Sequence, residues 1–299
     1  MLISVAFLKK LHPWFLAIRP KTLPASISPV FIGTAMAAGD GIHHLPTAFL
    51  CLLGALLVQI GTNLTNDYFD FKKGIDTKDR VGPLRVTQAG LIAPWQMITA
   101  IILTFSLSAL VAYFLFLRGG WPIAVIGILG ILSGIFYTAG PKPLSALGAS
   151  DIFVLIFFGP VAVAGTYYAQ SFEINLAVIL AGLAPGLIST AILTVNNLRD
   201  IETDKKAKKK TLAVRFGKTF AQMEFFYCIT GACLVPVLIY AIIQDHLPIL
   251  ACSIIMALAA PLIKNIFAPL GDDSLNHTLS ATGKLLILYT ILFSIGWIL

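Results

Sequence analysis

Long apolar stretches separated by short polar segments organise this chain. Nine of them approach the roughly 20 residues that one helix needs to cross the hydrocarbon core of a bilayer. They lie near 22–39, 45–66, 95–117, 121–139, 152–172, 174–198, 225–244, 247–263 and 280–299. The third is the cleanest, because Trp95 to Leu117 contains no charge. The ninth is the weakest, because it must let Lys284 snorkel to the interface. Residues 1–21 carry Lys9, Lys10 and Trp14 after a short apolar start, so they read as an interfacial segment rather than a cleavable leader. The pattern predicts an all-α integral membrane fold. Nine transmembrane helices bundle around a central cavity, residues 1–299 form one transmembrane domain, and the loops 69–94 and 199–222 form a cytoplasmic cap.

Composition agrees, since 58% of the residues are hydrophobic and only 12% charged, which excludes a soluble chain. The net charge of +7 raises nucleic acid as a partner, but 21 basic against 14 acidic residues is a small excess. It is better explained by topology. With nine alternating spans, 20 of the 21 Lys and Arg residues fall on one face, and Arg118 is the exception. The positive-inside rule makes that face cytoplasmic, together with the N-terminus, and puts the C-terminus outside, as in a bacterial plasma (inner) membrane. Cys51, Cys228, Cys233 and Cys252 lack metal-site spacing and sit in apolar stretches as small hydrophobes.

Acidic residues cluster where the second and sixth stretches reach the cytoplasm. The first cluster holds Asp67, Asp70, Asp76 and Asp79, and the second holds Asp200, Glu202 and Asp204. Helical spacing puts Asn66 and Asp70 on one face, as it does Asn63 and Asp67, while Asn196, Asp200 and Asp204 form a single stripe at i, i+4 and i+8. Carboxylates and amide carbonyls are hard oxygen donors, and Mg²⁺ takes one or two carboxylates together with water and phosphate oxygens. Two such stripes, with bases beside them, suit a metal-bound diphosphate. A secondary transporter is the alternative from another class, given the helix number, the two-part repeat and helix-interrupting prolines such as Pro122, Pro160 and Pro185. Against it, every acid except Asp151 and Glu224 falls at a helix end or in a loop, not at midplane.

The segments NDYFDFKKGID (66–76) and NNLRDIETD (196–204) resemble the two Asp-rich motifs of the UbiA superfamily of intramembrane aromatic prenyltransferases. Residues 59–92, YTAGPKPLSALG (137–148), FFGPVAVAGTYYAQ (157–170) and 196–217 are similar to its 1,4-dihydroxy-2-naphthoate polyprenyltransferase branch in menaquinone biosynthesis. One departure is Lys208, which stands where relatives often carry glycine.

The resemblance implies transfer of a polyprenyl group from polyprenyl diphosphate to 1,4-dihydroxy-2-naphthoate, in contact with membrane lipid and without nucleic acid. Asn66, Asp70, Asp200 and Asp204 would ligate Mg²⁺, with Asp67, Asp76 and Asn196 as ligands or supports. Arg19, Lys21, Lys72, Arg80, Arg85, Lys142 and Arg199 are candidates to clamp the diphosphate, Lys142 being counted among the catalytic groups. Asn63 and Asn197 would bind substrate. Tyr68, Phe69, Tyr137, Tyr167 and Tyr168 offer π-faces to an allylic cation. Loss of the ring carboxylate as CO₂ removes the need for a strong base, and His12, His43, His44, His246 and His277 are read as non-catalytic. Prenylation of 4-hydroxybenzoate, a haem precursor or a chlorophyllide shares the metal chemistry and is the runner-up. The run Lys205–Lys210 holds topology and touches anionic lipid at about 1 kcal/mol per charge, with one or two lysines free to cover the diphosphate.

Overall fold

The computed structural model describes residues 11–74, 84–141, 143–268 and 272–299, the side chains of 272 and 273 excepted. Asp76, Asp79, Arg80 and Lys142 therefore lie outside the described residues. The described chain is helical, in the order α1 (11–18), a 3₁₀ turn Pro20–Thr22, α2 (Leu23–Gly39), α3 (Leu45–Lys72), α4 (Pro94–Phe136), α5 (Leu144–Leu147) and α6 (Ser150–Ile156). A π-turn at Phe157–Val161 leads to α7 (Ala162–Ser171), α8 (Leu176–Arg199), α9 (Ile201–Lys206), α10 (Leu212–Phe216) and α11 (Lys218–Ile243). A 3₁₀ segment Leu247–Ile254, α12 (Ile255–Phe267) and α13 (Asp272–Ile298) complete it.

Among the described residues, eight helical units are long and apolar enough to cross a membrane, against the nine stretches read from the sequence. The difference lies in α4, whose 43 residues hold the third and fourth stretches. At 1.5 Å per residue a straight helix of that length would reach about 65 Å, twice the hydrocarbon thickness. It is not straight. Gly120 takes φ 67°, ψ −157°, and beyond it the chain returns along itself: Gly127 faces Ala112 and Gly134 faces Phe105, pairs symmetric about Gly119 and Gly120. Glycine is required at Gly120 because a side chain there would be strained.

Two other boundaries moved for local reasons. The interfacial segment joins α2 through a break at Arg19, which takes φ 54° before Pro20, since a residue preceding proline is steered away from the right-handed helix. At the other end α13 begins at Asp272, eight residues before the ninth stretch. Its polar half hides its hydroxyls: Thr278 and Thr282 donate to the carbonyls of Ser274 and Thr278, at 2.9 and 2.8 Å.

Two apolar cores result. The larger joins α2, α7, α8 and α11 to α13, with Phe225, Ile229, Tyr289 and Phe293 fully buried. The smaller gathers Ala17, Leu64, Val86, Ile92 and Met97, where α1, α3 and the start of α4 meet. Where the π-turn crosses α8, backbones touch. A Cβ on Gly159 would stand 2.6 Å from the Gly182 carbonyl oxygen, one on Gly182 would stand 2.5 Å from Pro160 Cα, and one on Gly186 would strike the Leu155 carbonyl. Gly182 and Gly186 are four residues apart on one face of α8, the small-xxx-small spacing that lets membrane helices approach.

Arg118, the one base off the basic face, sits at the turn of α4. It donates to the carbonyls of Ala169 and Gln170 at 2.9 and 3.3 Å and lies 4.8 Å from the Phe172 ring centre, so it caps the C-terminus of α7.

Candidate active site

Both Asn/Asp stripes open onto one cavity of about 820 Å³. Its polar end is lined by Arg19, Lys21, Asn63, Asn66, Asp70 and Arg85 from the first half of the chain. Tyr137, Asn196, Asn197, Arg199, Asp200 and Asp204 complete that end from the second. Twelve of the sequence-derived residues thus meet at one place. From there the cavity runs along α3 as far as Cys51, nineteen residues from Asp70, or about 28 Å at helical rise. Its deep walls are Val30, Val58, Val111, Ile123, Ile126 and Val161.

The first stripe stays on α3. Asn66 accepts from the Arg19 guanidinium at 2.9 Å and donates to Thr138 Oγ1 at 2.9 Å and to Asp70 at 3.2 Å. Asp70 also receives Arg85 at 3.1 Å, and both are almost fully buried. Asn63 has a supporting part: its amide donates to the Ile18 carbonyl and to Thr22, at 2.8 and 3.0 Å, satisfying backbone left open where α1 breaks. That break is what turns Arg19 toward Asn66.

The second stripe bends where one continuous helix was expected. α8 ends at Arg199, Asp200 caps it, and α9 starts at Ile201. The Asp204 N–H still donates to the Asp200 carbonyl at 2.8 Å, so the i, i+4 relation survives the bend. Arg199 is heavily committed. It grips Asp200 with two bonds of 2.7 and 2.8 Å, and donates to Asn196 at 2.7 Å and to Asn276 of α13 at 2.9 Å. A guanidinium held by such charge-assisted bonds positions Asp200 and Asn196, and is less available as a free phosphate clamp. Lys209 pairs with Asp204 at 3.4 Å and lines the cavity.

Three expected residues point elsewhere. Asp67 was placed among the metal ligands, but its two oxygens accept the backbone N–H groups of Val86 and Thr87, at 3.1 and 3.0 Å. One residue on from Asn66, it sits a hundred degrees round the helix and binds the loop instead. Tyr68 packs into the smaller core beside Trp14 and Leu16. Lys72 is exposed and off the cavity, whereas its neighbour Lys73, missed in the sequence, donates to the Thr138 and Gly140 carbonyls at 2.7 and 3.2 Å.

The aromatic wall is also reassigned. Phe69, Tyr167 and Tyr168 do not line the cavity, and Tyr167 donates to Asp40 at 2.5 Å. The π-faces come from Phe153, Phe157, Phe158 and Tyr137, with Phe153 and Phe157 stacked at 4.7 Å. Periodicity could not anticipate this, because the π-turn shifts the phase of the helix inside FFGP. No histidine among the described residues lines the cavity. Asp151 falls in the first turn of α6, at a helix end like most acids here.

Thr138, Gly140, Ala146 and Leu147 bind the two motif regions together. The Lys210 N–H donates to the Ala146 carbonyl at 2.9 Å and Arg215 donates to that of Leu147 at 2.8 Å. Lys208, where the family resemblance implies glycine, takes φ 57°, a conformation natural to glycine. Lys208→Gly is expected to raise stability by about 1 kcal/mol, read as a higher melting temperature in detergent with turnover unchanged.

Residues 26–276 match the family model described as UbiA prenyltransferase family. The chain is 37% identical over 301 residues to the 1,4-dihydroxy-2-naphthoate octaprenyltransferase of Haemophilus influenzae, covering 96% of each. Among solved structures, a UbiA homologue from Archaeoglobus fulgidus superposes with a TM-score of 0.68 at 18% identity, covering 96% of this chain and 99% of that one. The same homologue bound to GPP and Mg²⁺ gives a TM-score of 0.60 at 18% identity, covering 97% and 99%.

Proposed function

The chain belongs to the UbiA prenyltransferase family, and from that footing we propose that it transfers a polyprenyl group from polyprenyl diphosphate to 1,4-dihydroxy-2-naphthoate. It is an integral membrane protein and an enzyme. The observation that carries the reading is the cavity itself, with two oxygen-donor stripes and their bases at one end and an apolar passage of membrane depth at the other. A diphosphate bearing a lipid tail has that division of chemistry.

The donors fit Mg²⁺. Asp70, Asp200, Asp204, Asn66 and Asn196 offer only hard oxygens. Mg²⁺ completes its shell with phosphate oxygen and water beside one or two carboxylates. Asn66, Asp70, Asp200 and Asp204 would hold it, and a bound Mg²⁺ supplies Lewis-acid stabilisation of diphosphate charge. Asp67 takes no part in that set. The remaining work belongs to the protein. Arg19, Lys21, Arg85 and Lys209 hold phosphate charge, and Arg199 fixes Asp200. Phe153, Phe157, Phe158 and Tyr137 shield the allylic carbon from water as its bond to oxygen breaks. The ring carbon bearing the carboxylate bonds to that carbon, the carboxyl leaves as CO₂, and no proton need be removed.

In this reading the two arms of α4 each cross the bilayer, giving nine crossings. The basic face and N-terminus lie in the cytoplasm of a bacterial inner membrane, and the loops around 138–148 and 199–222, with residues 69–94, cap the site within one domain. The tail enters sideways from lipid, because moving an apolar chain through water would gain nothing. Asp76, Arg80 and Lys142 remain candidates for the phosphate end.

Purified protein given labelled polyprenyl diphosphate, Mg²⁺ and either dihydroxynaphthoate or 4-hydroxybenzoate tests this. Product is expected from dihydroxynaphthoate and none after chelation. Product from 4-hydroxybenzoate alone would move the enzyme to another branch, and no product with either would return the transporter reading. Lys209→Gln is expected to raise KM for the diphosphate about tenfold with kcat changed less, one charge-assisted contact being worth 1.5–3 kcal/mol. An unchanged KM would limit Lys209 to pairing with Asp204.

A further inference from the structure

Five glycines line the cavity: Gly54, Gly127, Gly130, Gly134 and Gly165. Three of them, Gly127, Gly134 and Gly165, have an evident packing reason, and a Cβ on Gly54 would make an ordinary contact with Val111 at 3.4 Å. A Cβ would meet Ala112 at 3.0 Å from Gly127, Thr62 at 2.6 Å from Gly134 and Ile126 at 3.1 Å from Gly165. These three let α3, the arms of α4 and α7 approach. Gly130 differs, because a Cβ built there meets nothing within 4 Å. Nor does its backbone call for glycine, for it lies inside a regular helix and is absent from the positive-φ residues. In such a position glycine costs about 1 kcal/mol relative to alanine.

Gly130 faces inward. It shares the cavity wall with Ile126, Gly127 and Gly134 on one face of the returning arm, while Ile128, Leu129 and Leu132 of the same arm are exposed outward. Seven residues separate it from Tyr137 at the polar end, about 10 Å along the helix. In the proposed reaction the tail of a donor whose diphosphate sits at the polar end would cross the space beside it, a short isoprenoid's length from that end. We infer that Gly130 sets which donor tails the enzyme accepts: its missing side chain is the room through which a long polyprenyl chain passes, and bulk there would restrict the enzyme to short donors.

The inference rests on the proposed prenyl transfer, and the experiment separates the two. Wild type, Gly130→Ala, Gly130→Val and Gly130→Phe are compared with dihydroxynaphthoate as acceptor and either geranyl diphosphate or a long polyprenyl diphosphate as donor. The ratio of kcat/KM for the long donor to that for geranyl diphosphate is expected to fall as the side chain grows, by at least about tenfold at phenylalanine, the scale on which a pocket resolves added apolar volume. A ratio that stays flat from glycine to valine would overturn the assignment. If phenylalanine prevents folding, the alanine and valine variants still decide, since neither meets a neighbour at its Cβ. Failure of wild type to use either donor would instead reject the prenyl transfer reading.

Discussion

Asp70→Asn is expected to lower turnover of polyprenyl diphosphate by about 10²–10³-fold, the loss seen when one group that stabilises developing charge is removed. The same is expected of Asp200→Asn. Asparagine preserves the shape of Asp70 and its contact with Asn66, but removes the charge that would hold a cation. A second effect must be separated from the first. Asp70 also neutralises the buried Arg85, and stranding one partner of a buried pair costs about 3–5 kcal/mol of stability. The double variant Asp70→Asn/Arg85→Gln strands no charge. It is expected to regain most of the melting temperature lost by Asp70→Asn and none of the turnover. Recovery of turnover along with stability would show that Asp70 acts only as a counter-charge to Arg85, and would remove it from the metal-binding set.

Gly186→Val is expected to prevent folding. Its Cβ would strike the Leu155 carbonyl, a backbone atom in the helix that packs against α8. No rotamer relieves a clash between main chains, so α6 and the π-turn would have to move away from α8. The stacked rings of Phe153 and Phe157 would move with them, off the cavity wall. Because α8 is the most buried of the long helices, the larger core would be disturbed throughout. Overpacking of this kind usually costs 1–3 kcal/mol when side chains can adjust, and here the obstacle is rigid. Loss of the monodisperse peak on detergent size-exclusion chromatography checks it. Gly130→Val, on the same purification, is expected to behave as wild type.

Much of this architecture was legible because membrane helices announce themselves by length and apolarity, and because i, i+4 spacing carries side chains to one face. Asn66 and Asp70 could therefore be paired from the sequence, and so could Asn196 with Asp200. What escaped depended on departures from regular helix. The stretch ending at Gly39 could not reveal that Arg19 would turn left-handed and hand its guanidinium to Asn66. Asp67 sits in the same motif as Asp70, yet one residue of rotation gives it to the Val86–Thr87 amides. The aromatic wall was misassigned because a π-turn changes the helical phase without a strong signature. α13 was begun too late because residues 272–278 look polar on paper, although Asn276 on that first part of the helix is held by Arg199 and Thr278 satisfies its hydroxyl within the helix. Tyr167, bonded to Asp40, and Asp67, bonded to the Val86 and Thr87 amides, show that direction decides where residue type alone is the guide.

The turn of α4 has a consequence for how the chain is assembled. Between Pro94 and Phe136 the only charge is Arg118, so with the nine crossings proposed above the two arms would leave the insertion machinery together as one apolar pair, with a single guanidinium carried across at its tip. The carbonyls that later receive it belong to residues 51 and 52 positions further along. They do not yet exist when the pair is threaded. For that interval water on the far side would be the only solvent for Arg118, and would anchor the tip there. When α7 arrives, the waiting charge finds its helix end and fixes the pair against the rest of the molecule.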